Sequence, residues 1–228
     1  MKTNTVTRIF TLIAVLTFAF NAQSATIVVT DPGSDFKVTY DDSEAGAFGT
    51  LVLVNNTIFF VPDDFTAESA NGAGQAFISE TLNLQLDATT QGFTFDSFFL
   101  YEEGDYIVDG VGTEVSASGE MRVRDAFFPF NSALSEFDFF ASGDGGTGTQ
   151  QWSGSTSIDG SSGWAPGTTS VLLTLQNVLT ADSMSSGELA FIQKKFEGVQ
   201  ISVNEVPLPA GVWLFSSALL GFIGLRRQ

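Results

Sequence analysis

Between residues 25 and 205, apolar side chains recur at every second position in short runs. Leu82, Leu84 and Leu86 alternate with Thr81, Asn83 and Gln85, and Val171, Leu173 and Leu175 repeat the arrangement. So do Val199, Ile201 and Val203, and the pairs Phe93/Phe95 and Phe137/Phe139. Period two places successive side chains on opposite faces of an extended chain, the pattern of half-buried strands. Further strands are predicted at Thr26–Thr30, Phe36–Tyr40, Thr50–Val54, Thr57–Val61, Tyr106–Val111, Glu114–Val123, Gln151–Ile158 and Glu188–Phe196. Turn signals separate them: Asp31-Pro32-Gly33, Asn71-Gly72, Asp109-Gly110, Asp159-Gly160 and Pro166-Gly167. Ala67–Gly74 and Gly143–Thr149 read as small-residue loops, and Glu102-Glu103-Gly104-Asp105 as a solvated acidic loop between strands. No stretch carries a long amphipathic helical stripe. About a dozen short strands with close punctuation predict one all-β domain, a β-sandwich or jelly roll, over residues 25–205.

The two ends follow a different pattern. Lys2 and Arg8 precede the apolar run Ile9–Phe20, and Ala22-Gln23-Ser24 offers small residues at the cleavage-determining positions. That order is a signal peptide over residues 1–24, so the chain is expected to be exported. At the other end, Ala210–Leu225 has no charged residue and is followed by Arg226 and Arg227. As a helix those residues span roughly 24 Å at about 1.5 Å per residue. That is a little under a hydrocarbon core of about 30 Å, a gap that Trp213 and the snorkelling arginines can close. The arginine pair is expected to stay on the cytoplasmic side of the inner membrane.

Val206-Pro207-Leu208-Pro209-Ala210, the apolar run and Arg226-Arg227 together resemble the PEP-CTERM sorting signal of Gram-negative bacteria, in its VPLPA variant. Leu208 stands where the name-giving motif has glutamate. The resemblance covers residues 206–228 and implies processing at the motif by an exosortase-type membrane enzyme. It also implies a cell-surface or extracellular destination and a setting of exopolysaccharide and biofilm.

Charge narrows the body's partners. The chain has 9 basic and 26 acidic residues. Four of the basic ones lie in the end segments, so the body carries five against all 26 acids, a net −21. Nucleic acid is excluded as a partner, because phosphates must be neutralised by Lys and Arg. The absence of cysteine means that an exported domain holds itself together without disulfides.

The residue inventory also limits chemistry. With no histidine and no cysteine, the usual His-based nucleophile systems cannot be assembled, and zinc and copper lose the ligands they prefer. Glu102, Glu103, Asp105 and Asp109 are the carboxylates from which a glycosidase pair would be drawn. Asp41, Asp42 and Glu44, with Asp63 and Asp64, are hard-oxygen clusters suited to calcium, although neither has EF-hand spacing. Trp164, in a loop-like Ser-Gly-Trp-Ala-Pro-Gly context, is the candidate sugar-stacking aromatic, ahead of Trp152, Tyr101 and Tyr106. Two functions fit. One is a non-catalytic surface or matrix protein that contacts extracellular polysaccharide. The alternative is a carboxylate-dependent glycoside hydrolase or polysaccharide lyase on a jelly-roll scaffold.

Overall fold

The computed structural model describes residues 25–143, 146, 148–160, 164 and 167–205. The expected signal peptide, Val206–Ala210 of the sorting motif, the apolar run and Arg226-Arg227 lie outside the described residues.

Twelve strands account for most of the described chain: β1 (Thr26–Val29), β2 (Phe36–Asp41), β3 (Thr50–Val54), β4 (Thr57–Val61), β5 (Thr66–Ala70), β6 (Ala76–Ala88), β7 (Phe95–Asp109), β8 (Thr113–Asp125), β9 (Ser132–Ser142), β10 (Gln150–Asp159), β11 (Ser170–Ser183) and β12 (Leu189–Glu205). Two short 3-10 turns at residues 42–44 and 46–48 join β2 to β3. One sheet runs β1-β2-β6-β11-β8-β9, and the facing one runs β10-β7-β12-β4-β3 with β5 also paired to β12. Every pairing is antiparallel. From β6 onward the chain passes repeatedly between the sheets, which gives the sandwich its jelly-roll character.

The alternating residues face each other across this gap. Leu82, Leu84, Leu86, Leu173, Leu175 and Val123 come from one sheet, and Phe60, Phe98, Leu100, Ile192, Ile201 and Val203 from the other, all buried. Aromatic rings gather into groups. Phe36, Phe93, Phe95, Phe98 and Trp164 pack at one end, with centroids 5.2–6.0 Å apart. Phe48, Phe60 and Phe65 form a second group, and Tyr106, Phe139 and Trp152 a third. Each fully buried phenylalanine stabilises the fold by about 1.5–3 kcal/mol relative to exposure.

Three sequence expectations need correction. The acidic segment 102–105 is the middle of β7, continuous from Phe95 to Asp109 and paired on both sides. Glu188–Phe196 and the Val199–Val203 run are one strand, β12, interrupted by a bulge between Lys194 and Val199. Ala67–Gly74 is half strand, since Thr66–Ala70 forms β5 on the first half of β12. Polar and small-residue content suggested loops at 67–74 and 102–105, but cross-strand pairing decided the conformation there.

Candidate functional site

The acidic residues of β7 alternate like any strand's. Glu103 points outward and accepts a hydrogen bond from the Tyr101 hydroxyl at 2.9 Å, while Asp105 pairs with Lys195 at 3.2 Å. Glu102 points inward, has no exposed side-chain surface, and contacts Lys194 Nζ, which is equally buried. Lys194 is there by plain alternation, the next inward position of β12 after Ala190 and Ile192. Lys194 lies opposite Gly104 and Val199 opposite Glu102, so the bulge follows the lysine and sets residues 195–198 against Glu103. The Lys194 backbone N–H donates to Phe65 O at 3.1 Å, where the chain passes between β4 and β5. The ammonium lies 5.1 Å from the Phe65 ring centre and 5.4 Å from that of Trp152.

Glycines make the room. A Cβ on Gly104 would stand 2.4 Å from Trp152 Nε1 and 1.9 Å from Gln193 O, and one on Gly154 would stand 2.1 Å from the Phe137 ring. Trp152 Nε1 instead donates to Gln193 O at 3.1 Å. From the opposite sheet, Asn177 and its pairing partner Gly119 face this cluster. Asn177 is fully buried, and a Cβ on Gly119 would lie 3.1 Å from Glu102 Oε1. Two acceptors here, Glu102 Oε1 and Asn177 Oδ1, are buried without a hydrogen-bond donor. Burial pushes the Glu102 carboxyl up, against the opposing pull of Lys194 and of the Asn177 amide. Burial pushes the Lys194 ammonium down, against the pull of Glu102. Both shifts favour the uncharged forms, because desolvation penalises charge.

The second polar array is on the outer face of the β1-to-β9 sheet. In one row across the strands lie Thr39, Gln85, Leu172 and Arg124, and in the next Asn83, Thr174 and Arg122. With Asp41 and Glu44 at its margin, the first row borders a shallow groove of about 330 Å³. Thr174 donates to Asn83 Oδ1 at 2.9 Å, and Asn83 donates to Glu44 at 3.2 Å. Arg122 pairs with Glu120 at 3.4 Å. Arg124 Nε is buried against the sheet and has no acceptor.

The sequence candidates fall out as follows. Asp41 caps the 3-10 turn through Ser43 N at 2.9 Å and Ser43 Oγ at 2.6 Å, and Asp42 is exposed beside it. Asp63 and Asp64 sit exposed on the β4–β5 connection. Among the described residues, no group of three or more acidic side chains is placed to hold a metal ion. Trp164 is only 6% exposed, packs edge-on against Phe98 at 5.5 Å, and donates Nε1–H to Phe95 O at 2.8 Å. It is a structural anchor and offers no free ring face to a sugar. Trp152 is buried as well. Glu102 is closed inside the sandwich while Glu103 and Asp105 lie on the other face of β7, so Glu102 does not face either of them across a gap. The sequence reading missed the Lys194–Glu102–Asn177 cluster. Its one local signal was glycine at inward positions of alternating strands, which marks a large group opposite.

A further exposed feature is the β8–β9 connection, where Phe127, Phe128 and Phe130 are 73%, 64% and 99% exposed. Asp125 fixes it, accepting from Phe127 N at 2.8 Å, Phe128 N at 3.0 Å and the Thr168 hydroxyl at 2.9 Å.

No protein-family model matches the sequence, and no curated protein matches it. Among solved structures, the chain is similar to the Eiger TNF of S. frugiperda at 8% identity and TM-score 0.26, covering 64% of this chain and 96% of that one. A xylan-binding domain from Paenibacillus barcinonensis matches at 11% identity and TM-score 0.23, over 62% and 94% of the two chains. Carbohydrate-binding modules of the β-sandwich superfamily, described as promiscuous in specificity, match at 6% identity and TM-score 0.24, over 82% and 99%. The sandwich itself is established by the strand pairing above.

Proposed function

We propose that this chain is an exported surface or matrix protein, sorted through its VPLPA-type C-terminal signal, whose sandwich binds extracellular polysaccharide without cleaving it. The observation that carries the binding reading is the groove on the outer sheet face. Amide, hydroxyl and guanidinium groups from β2, β6, β11 and β8 lie there in register, at strand spacing. Sugars present hydroxyls along an extended chain, and rows of Asn, Gln, Thr and Arg supply the matching donors and acceptors. Leu172 gives an apolar patch within the row for a sugar's C–H face. The body's −21 charge favours neutral polymers over anionic ones.

The test is a polysaccharide panel presented to the full chain. Binding to a neutral glycan is expected, and Arg124→Ala should weaken it roughly tenfold, the loss of one hydrogen bond from a charged group. Equal binding by Arg124→Ala and an Asn83→Ala/Gln85→Ala double variant would remove this face from the function. Release of reducing ends from any bound polymer would replace the binding reading with the hydrolase one.

A further inference from the structure

We propose that Lys194 and Asn177 become joined by an intramolecular amide bond across the sandwich, with Glu102 as the proton carrier. Three kinds of group are needed for such a bond: an amine nucleophile, a carbonyl electrophile with a leaving group, and an acid–base between them, all shielded from water. The core supplies each once. Lys194 reaches in from β12, Asn177 from β11 in the other sheet, and Glu102 of β7 contacts Lys194 while its Oε1 lies against Gly119, the strand partner of Asn177. Phe65 and Trp152 cover the amine. All three polar residues are buried.

The two orphan acceptors point the same way. Transfer of one proton from Lys194 to Glu102 leaves a neutral amine and gives Oε1 a hydrogen to offer Asn177 Oδ1, so one proton serves both unpaired oxygens. Desolvation favours that neutral pair, as the directions of both shifts indicate. The amine then adds to Asn177 Cγ, forming the N–C bond. Glu102 takes the proton from the attacking nitrogen and passes one to Nδ2. The Cγ–Nδ2 bond breaks, ammonia leaves, and Glu102 keeps the proton it first received from Lys194, ending as the neutral acid. No oxidant or cofactor enters. An exported chain with no cysteine thereby gains a covalent staple by a route other than a disulfide.

Peptide mapping of the folded full chain tests this. After denaturation, cleavage at glutamate places Asn177 in residues 137–188 and Lys194 in residues 189–197. These two fragments should be recovered joined, lighter than their sum by one ammonia beyond the ordinary hydrolysis products. Glu102→Gln should release them as separate, unmodified fragments. Asn177→Asp should restore the joined species with loss of water in place of ammonia. Separate fragments in the wild-type chain would overturn the proposal, whatever the variants do. Lys194 joined to the Glu102 fragment with loss of one water would overturn the choice of Asn177. A joined species persisting in Glu102→Gln would overturn the role of Glu102.

Discussion

Eighteen of the chain's 23 phenylalanines lie in the body, and their surroundings set their energetic weight. Phe98 is fully buried between Phe95 and Trp164, so Phe98→Ala should cost about 3–5 kcal/mol in denaturant unfolding. Phe130 is almost fully exposed, and Phe130→Ala should stay within about 0.5 kcal/mol. Equal losses would mean that the β8–β9 connection is packed in solution. Asp125 acts on that connection by charge. Burial alone would push its carboxyl up, but the Phe127 and Phe128 amides and the Thr168 hydroxyl outweigh it and hold it below the usual range. A lowered folded-state value contributes stability above the ordinary aspartate pKa of about 3.9, lost as pH falls through the folded value. The stability gap between wild type and Asp125→Asn should therefore be constant from neutral pH to about 4 and close below it. A gap that widens on acidification would reverse the assignment. Alternation made Phe98 legible as core. It could not make Trp164 legible, because its burial depends on a strand 69 positions away in sequence, whose Phe95 carbonyl it meets.

At the scale of elements, regular alternation was enough to find β3 and β4 at their observed bounds, and most other strands in part. It failed where a strand carries something besides packing. Glu102-Glu103-Gly104-Asp105 looked like a loop because four polar or small residues in a row break the apolar face. In β7 the inward pair is Glu102 and Gly104, one opposite Val199 and the other opposite Lys194. An inward carboxylate is legible only once its lysine is known to be 92 residues away. The glycines allow a direct test. Gly154→Val would drive its side chain into the Phe137 ring, and backbone pairing on β10 leaves no easy retreat. Overpacking of this kind costs about 1–3 kcal/mol or more. Gly146→Ala, in a site with nothing within 4 Å, carries only the strain of a left-handed backbone and should cost less. Thermal melts of both variants would settle the order. A smaller loss for Gly154→Val would show that β10 is free to move off the core.

For the whole molecule, the acidic surface predicts a salt response. Self-repulsion weakens as ions screen it, so sodium chloride at about 0.15 M, where the Debye length is about 8 Å, should raise the melting temperature. Calcium at matched ionic strength should add nothing further, since the described acidic side chains do not converge on a metal position. A distinctly larger shift in calcium would reopen Asp41, Asp42 and Glu44. β12, from which the chain continues beyond Glu205, lies inside its sheet, with β7 on one side and β5 then β4 on the other. Cross-strand hydrogen bonds are perpendicular to the strands, so a pull along β12 loads them in shear, all together. Peeling them one at a time is not open to such a pull. With the Lys194–Asn177 bond in place, tension reaching residue 194 passes straight into β11, in the sheet that carries the polar groove. Only residues 195–205 could then pay out under load, and the rest of the body would transmit force without lengthening.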